Sequence, residues 1–180
     1  MAAEPPLAVE IGLDLLAARL NPLPGEALVL TDLAWLREAA LRRIERAVPE
    51  RDAAARTAAR VLWLGDGEPP WRLTAAGGCL GALLPGPSAA FFDRLRGAPG
   101  RPGAPARRRA AARPPAGFGL EARCGIGGPA AALYAALARA AERAGRGDLA
   151  DRFAFAHRRA LAPRPSARLA ELIALVARRG

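Results

Sequence analysis

Trp71-Arg72-Leu73-Thr74-Ala75-Ala76-Gly77-Gly78-Cys79-Leu80-Gly81-Ala82-Leu83-Leu84 is the most apolar stretch of the chain, and its reading decides the fold. It is a run of alanine and leucine, the strongest helix formers, broken only by glycines. β-Branched residues, which favour strands, are represented only by Thr74. The stretch therefore reads as a helix whose glycines permit close packing, at a propensity cost of about 1 kcal/mol for each glycine.

Upstream, Gly65-Asp66-Gly67-Glu68-Pro69-Pro70 reads as a loop, and residues 51–64 as an Arg- and Ala-rich helix closing on Val61, Leu62, Trp63 and Leu64. Before it, Leu33, Leu36, Ala40, Ile44 and Ala47 recur at spacings of three and four, which is one apolar helix face. Thr31 or Asp32 is placed to cap that helix and Pro49 to end it. A first helix is expected over residues 7–20, stopped by Asn21-Pro22-Leu23-Pro24-Gly25, because proline lacks the helical donor and clashes with the preceding turn.

Downstream, Pro85-Gly86-Pro87 turns the chain into a short helix from Ser88 to Leu95 that carries Phe91 and Phe92. Residues 97–117 are dense in Pro, Gly and Arg and short of apolar anchors, the composition of a flexible linker. Arg107, Arg108 and Arg109 form a basic tip within it, a candidate set of anion contacts. Pro129 suits the first position of a helix running to Ala144, which Gly145 and Gly147 end. Asp148 is placed to cap a helix with Leu149 and Phe153; the alternative is a short strand at Arg152–Ala156, where Phe153 and Phe155 alternate. After Pro163 and Pro165, Ser166 is placed to cap a final helix burying Leu169, Leu172, Ile173 and Val176.

These readings add up to an all-α fold: an irregular domain of seven to eight helices, with room for one short strand pair in the C-terminal half. The expected organisation is an N-terminal helical region 1–96, the linker 97–117 and a C-terminal helical region 118–180 that packs with the first into one domain. The chain has 180 residues, 52% of them hydrophobic and only 5% aromatic. That length suffices for a core without disulfides or a structural metal.

The net charge is +10, and all 27 basic residues are arginine. Lysine and glutamine are absent, and Asn21 is the only asparagine. That bias follows GC-rich codons, so arginine is weak evidence for phosphate recognition. Arg37, Arg42, Arg43 and Arg46 are interleaved with Glu38 and Glu45, the pattern of a solvated helix face. A basic nucleic-acid-associated protein is the alternative function that the charge keeps open, against the lack of a visible stacking platform or DNA-binding motif.

The residues for catalysis are sparse. His157 is the only histidine, Ser88 and Ser166 the only serines, and Cys79 and Cys124 lie far apart in sequence. A metal site needs convergent ligands at set spacings, which these do not supply. Gly125-Ile126-Gly127-Gly128 and Gly65-Asp66-Gly67 have the look of phosphate loops, but neither meets Gly-x-Gly-x-x-Gly and no Walker lysine exists. Asp66 and Glu68 read as a solvated carboxylate pair. No enzyme activity, cofactor or metal is expected. Without a basic leader or an apolar run of membrane length, a cytoplasmic protein is expected.

Leu20-Asn21-Pro22-Leu23-Pro24 followed by Leu28–Leu36, the Leu73–Leu84 stretch, and Gly128–Leu137 with Arg152–Phe155 and Leu169–Val176 form an order of segments. In that order the chain resembles the accessory sorting-platform proteins of bacterial type III secretion systems, the YscK, OrgA and MxiK family. The histidine of that family's N-terminal segment is missing, and residues 97–117 have no counterpart. The resemblance implies a mostly helical cytosolic adaptor that links the platform's pods to the membrane ring, peripheral at the inner membrane through protein partners. Trp35, Trp63, Trp71, Phe91 and Phe92 would then be candidate partner-binding anchors, a residue class favoured at interfaces. In an aromatic-poor chain core packing is the stronger reading for each tryptophan.

Overall fold

The computed structural model describes residues 6–49, 56–65, 67–86, 113–166 and 168–180. Strands β1 (Ala27–Leu30), β2 (Ala47–Pro49), β3 (Ala58–Leu64), β4 (Thr74–Pro85), β5 (Phe118–Ile126) and β6 (Leu172–Arg179) form one six-stranded sheet in the order β2-β1-β3-β4-β6-β5. The first four run parallel to one another. β6 runs antiparallel between β4 and β5, so β5 points the same way as β4. The helices are α1 (Leu7–Leu20), α2 (Ala34–Leu41), α3 (Pro129–Arg143) and α4 (Gly147–Ala160).

The expected all-α class is therefore wrong, and the fold is α/β. The Trp71–Leu84 stretch is a 3-10 turn at Trp71–Leu73 running into β4. β4 lies inside the sheet, where Cys79 through Leu84 are buried on both faces. A strand covered on both sides shows a continuous apolar run and loses the alternation that marks a half-exposed strand. Of the helix expected over 51–64, residues 51–55 lie outside the described residues and Ala58–Leu64 form β3 for the same reason, with Val61, Leu62 and Leu64 all buried. The final helix expected from Leu169 is β6; its spacings of three and one fit a helix face, but Ile173 through Ala177 are buried from both sides. Ser166 caps nothing helical, and its Oγ only accepts a long bond from the Arg168 N–H at 3.5 Å. The helix from Leu33 is real but stops at Leu41, and its last expected residue, Ala47, opens β2.

Other readings hold. α1 covers the expected residues 7–20, and α3 starts on Pro129. Arg152–Ala156 is helical within α4, so the alternative strand there is not formed. Asp148 lies in the first turn of α4, but no side chain caps that helix. The expected helix 88–95 and residues 97–112 of the expected linker lie outside the described residues, as does Asp66.

Two apolar layers sandwich the sheet. On one side Leu13, Leu16 and Leu20 of α1 with Leu36 and Ala40 of α2 meet Val29, Leu62, Leu83 and Val176. α1 comes close because β4 offers glycine: a Cβ at Gly81 would lie 3.0 Å from Leu20. On the other side Leu28, Val61, Leu80 and Leu175 pack with Trp71 and Leu73. Strands from residues 1–96 and 118–180 thus share one sheet through the β4–β6 pairing.

α3 and α4 stand apart from this body. They join β5 to β6, which are neighbours in the sheet, and pack mainly on each other. Only the base of this arm, at Ala131, Ala160 and Leu161, enters the core. Among the described residues no helix is long and apolar enough to cross a membrane.

Candidate functional site

β2 and β3 leave β1 in opposite directions, so the strand order reverses between β1 and β3. In parallel α/β sheets such a point opens a crevice beyond the carboxyl ends of the strands, where connections diverge to opposite sides, and ligands settle there. Here that edge carries Thr31-Asp32-Leu33 after β1 and the Gly65–Pro70 loop after β3.

Thr31 is buried, and its Oγ1 accepts the Leu33 N–H at 3.3 Å. Its carbonyl accepts Nη2–H of Arg37 at 2.8 Å, which folds that side chain back from α2 onto the end of β1. No side chain caps α2, so the N–H groups of its first turn have no side-chain partner at this edge. Trp63, one residue before the end of β3, is paired in register with Leu30. Its ring lies against Gly65, where an added Cβ would come within 2.9 Å.

Two buried donors at this point have no partner: Arg37 Nε and Trp63 Nε1. Buried polar atoms in folded proteins are nearly always bonded, so an unpaired one calls for a reason, and a missing ligand is one.

The aromatic anchors scatter. Trp35 is half-buried against the α1 layer, and Trp63 is half-buried at the crevice. Trp71 is only 8% exposed and meets Phe118 edge-on at 5.1 Å, which makes it a core residue on this surface. Phe91, Phe92 and Arg107, Arg108 and Arg109 lie outside the described residues.

The two glycine loops both reach the carboxyl edge, but Gly127-Gly128 serves packing. A Cβ at Gly128, where φ is +145°, would sit 2.7 Å from the Leu169 carbonyl. His157 Nδ1–H donates to the Ala131 carbonyl at 2.8 Å, tying α4 to the base of α3. The two cysteines are free thiols, and burial raises both their pKa values, Cys79 to about 11. No group of three metal-ligating side chains occurs among the described residues.

The crevice left no mark in the sequence. Thr31 read as a cap and Arg37 as part of a solvated face, because the order of strands that sets them and Trp63 at the carboxyl ends of β1 and β3, on opposite faces of the sheet, is a property of the assembled sheet.

A groove of about 460 Å³ lies elsewhere, between α1 and the Pro163–Pro165 segment, over β5 and β6. A shallower one surrounds Gly117–Glu121 at the opposite end of β5. Neither touches the β1–β3 crevice. The topology, and not the size of an opening, singles out that crevice.

No protein-family model matches the chain, and no curated protein sequence matches it.

Proposed function

We propose that the protein binds a small nucleoside-type ligand in the crevice between the carboxyl ends of β1 and β3. The observation that carries this reading is the reversal of strand order at β1, the position at which parallel α/β sheets take such ligands. The unpaired Arg37 Nε and Trp63 Nε1 supply two donors for it.

The chemistry narrows the ligand. Pyrophosphate needs glycines after the first strand so that the backbone can approach it. Thr31-Asp32-Leu33-Ala34 contains none. A ligand with a nucleoside but without a pyrophosphate is favoured, and the proposal is one of binding, with no reaction assigned.

Titration calorimetry with S-adenosylhomocysteine, adenosine, NAD and ATP tests this. The unphosphorylated compounds should bind, with Trp63→Phe and Arg37→Met each weakening them by about tenfold, the worth of one buried hydrogen bond. If none of the four binds, or if both variants bind like the parent, the crevice is not the site.

An adaptor role is a second proposal, favoured by the α3–α4 arm. It projects from the sheet with Leu133 57% and Phe155 62% exposed. Its link to type III secretion rests on resemblance alone, and two segments that carried it, Leu73–Leu84 and Leu169–Val176, lie largely in β4 and β6. Co-expression with a pod or ring protein and co-purification through α4 tests it; loss of the complex in Phe155→Glu is the expected outcome.

A further inference from the structure

The groove of about 460 Å³ over β5 and β6 has walls and a floor of different character. Ala122 and Cys124 of β5 with Ala174 and Val176 of β6 make an apolar floor. α1 supplies one wall through Leu15 and Leu16, and the Pro163–Pro165 segment the other. That segment is pinned to the sheet by a pair of backbone bonds between Arg164 and Gly125, at 2.8 and 2.9 Å. The wall is therefore part of the fold.

The rim is basic. Arg19 from the last turn of α1 and Arg164 border the opening, whereas Arg123 of β5 pairs with Leu175 and carries its side chain on the other face of the sheet. Neither rim guanidinium has an ion-pair partner among the described residues. The one rim carboxylate, Glu121, is already engaged: it pairs with Arg178, and its other oxygen accepts the Cys79 thiol at 3.9 Å. The net character is an apolar trough edged by two cations, Arg19 and Arg164, without an ion-pair partner among the described residues.

We propose that this groove binds a small amphipathic carboxylate, with its hydrocarbon part on the Ala122–Val176 floor and its head group between Arg19 and Arg164. The volume lies in the range of small-molecule sites, about 300–1,000 Å³, which combine an apolar lining with a few convergent polar groups. Guanidinium forks match a carboxylate in shape as well as charge, so the head group fixes the orientation while the tail supplies most of the buried area. The site is separate from the β1–β3 crevice: β3, β4 and β6 lie between β1 and β5 in the sheet.

Decanoate and decanol, which share a chain and differ in the head group, are the probes. Each is titrated by displacement of the fluorescent anion 1-anilinonaphthalene-8-sulfonate, at matched salt. Decanoate should bind about tenfold more tightly than decanol, the worth of one charge-assisted contact. Arg19→Ala with Arg164→Ala should abolish that difference while leaving decanol unchanged. Ala122→Trp, which fills the floor, should weaken both. Thermal melts of each variant check that the fold is intact, since Arg19 and Arg164 are exposed. A second readout needs no variant: Cys124 lines the groove, so decanoate should slow its alkylation by N-ethylmaleimide.

Equal binding of decanoate and decanol overturns the proposal. So does a head-group preference that survives loss of both arginines, an Ala122→Trp protein that binds like the parent, or unaltered alkylation of Cys124 at saturating decanoate.

Discussion

Arg60 is 1% exposed and is the largest polar side chain in the core. It occupies β3 on the face that meets α1, where its Nη1–H donates to the Leu20 carbonyl at 3.0 Å. Its Nη2 serves the Gly25 and Glu45 carbonyls. One side chain thus ties together the end of α1, the turn before β1 and the approach to β2. Burial pushes its pKa below the usual guanidinium value, Arg46 adds to that push and Glu45 opposes it. The guanidinium stays charged at any pH near neutrality. Arg60→Met keeps the stem but removes the donor to the Gly25 and Glu45 carbonyls, leaving Leu20's carbonyl only the Leu23 N–H, and should lower the unfolding free energy by about 2–4 kcal/mol in urea titrations. Cys79 sets a second test. Its pKa is raised to about 11, first by burial and then by Glu121, with Arg178 opposing. The folded state therefore holds the thiol proton more tightly than the unfolded chain. Stability from this group is intact below the unfolded pKa, about 8.5, and declines as pH rises toward 11. Between pH 8 and 11 the melting temperature of the parent should fall further than that of Cys79→Ala. Equal falls would mean that Cys79 is not the group responsible.

Elements in this molecule are joined by close backbone approaches that single glycines permit. Gly86, just past β4, donates its N–H to the Glu171 carbonyl at 2.6 Å, and a Cβ there would lie 2.0 Å from the Ala170 carbonyl oxygen. That neighbour is backbone and cannot rotate aside. Gly86→Ala should therefore shift the start of β6 and cost about 3 kcal/mol or more, read as a lower urea midpoint. Gly12 of α1 faces a different neighbour, the tip of Leu83 at 2.5 Å. A side chain can move, and alanine gains about 1 kcal/mol of helix propensity over glycine. Gly12→Ala should be close to neutral, whereas Gly12→Val overpacks the same contact and should destabilise by about 1–3 kcal/mol. Of the glycines of the Trp71–Leu84 stretch, read as allowing close packing of a helix, Gly78 and Gly81 do sit at close approaches, of a strand, and Gly77 meets nothing. The partner of Gly81 was not legible, because the sequence of β4 does not say that α1 will lie across it.

At the scale of the whole molecule the chain divides into a sheet body and an arm. In the body the apolar layers on the two faces bury β1, β3 and β4 almost completely. In the arm, α3 and α4 bury chiefly small residues, Ala138 and Ala141 of α3 and Ala150 of α4, and much of the remaining surface is exposed. Local stability follows buried apolar contact, so the arm should open well below the free energy of global unfolding. Hydrogen exchange read by mass spectrometry should show amides of residues 138–151 exchanging faster than those of β4 and β6. Uniform protection would mean that the arm is as cooperative as the sheet. Arg159 lies over the exposed Phe155 ring at 5.9 Å, a cation–π pair on the arm's surface.

The sequence by itself determined where the chain turns and which segments form amphipathic or proline-started helices. α1 and α3, and the helical course of α4, follow from local spacing, the proline start of α3 and glycine and proline breakers, all of which act within a few residues. It also limited the chemistry available, with one histidine, two serines and no lysine. Tertiary structure alone decided that Ala58–Leu64, Thr74–Pro85 and Leu172–Arg179 are strands. Alanine, leucine and glycine carry no strong strand preference, and burial on both faces erases the period of two that would reveal one. The pairing partners of a strand are distant in sequence, so the backbone bonds that outweigh helix propensity there exist only once the sheet is assembled. The same holds for the β1–β3 crevice and the arginine-rimmed groove. Each gathers residues from separate elements, and the strand order that brings them together is settled by the sheet.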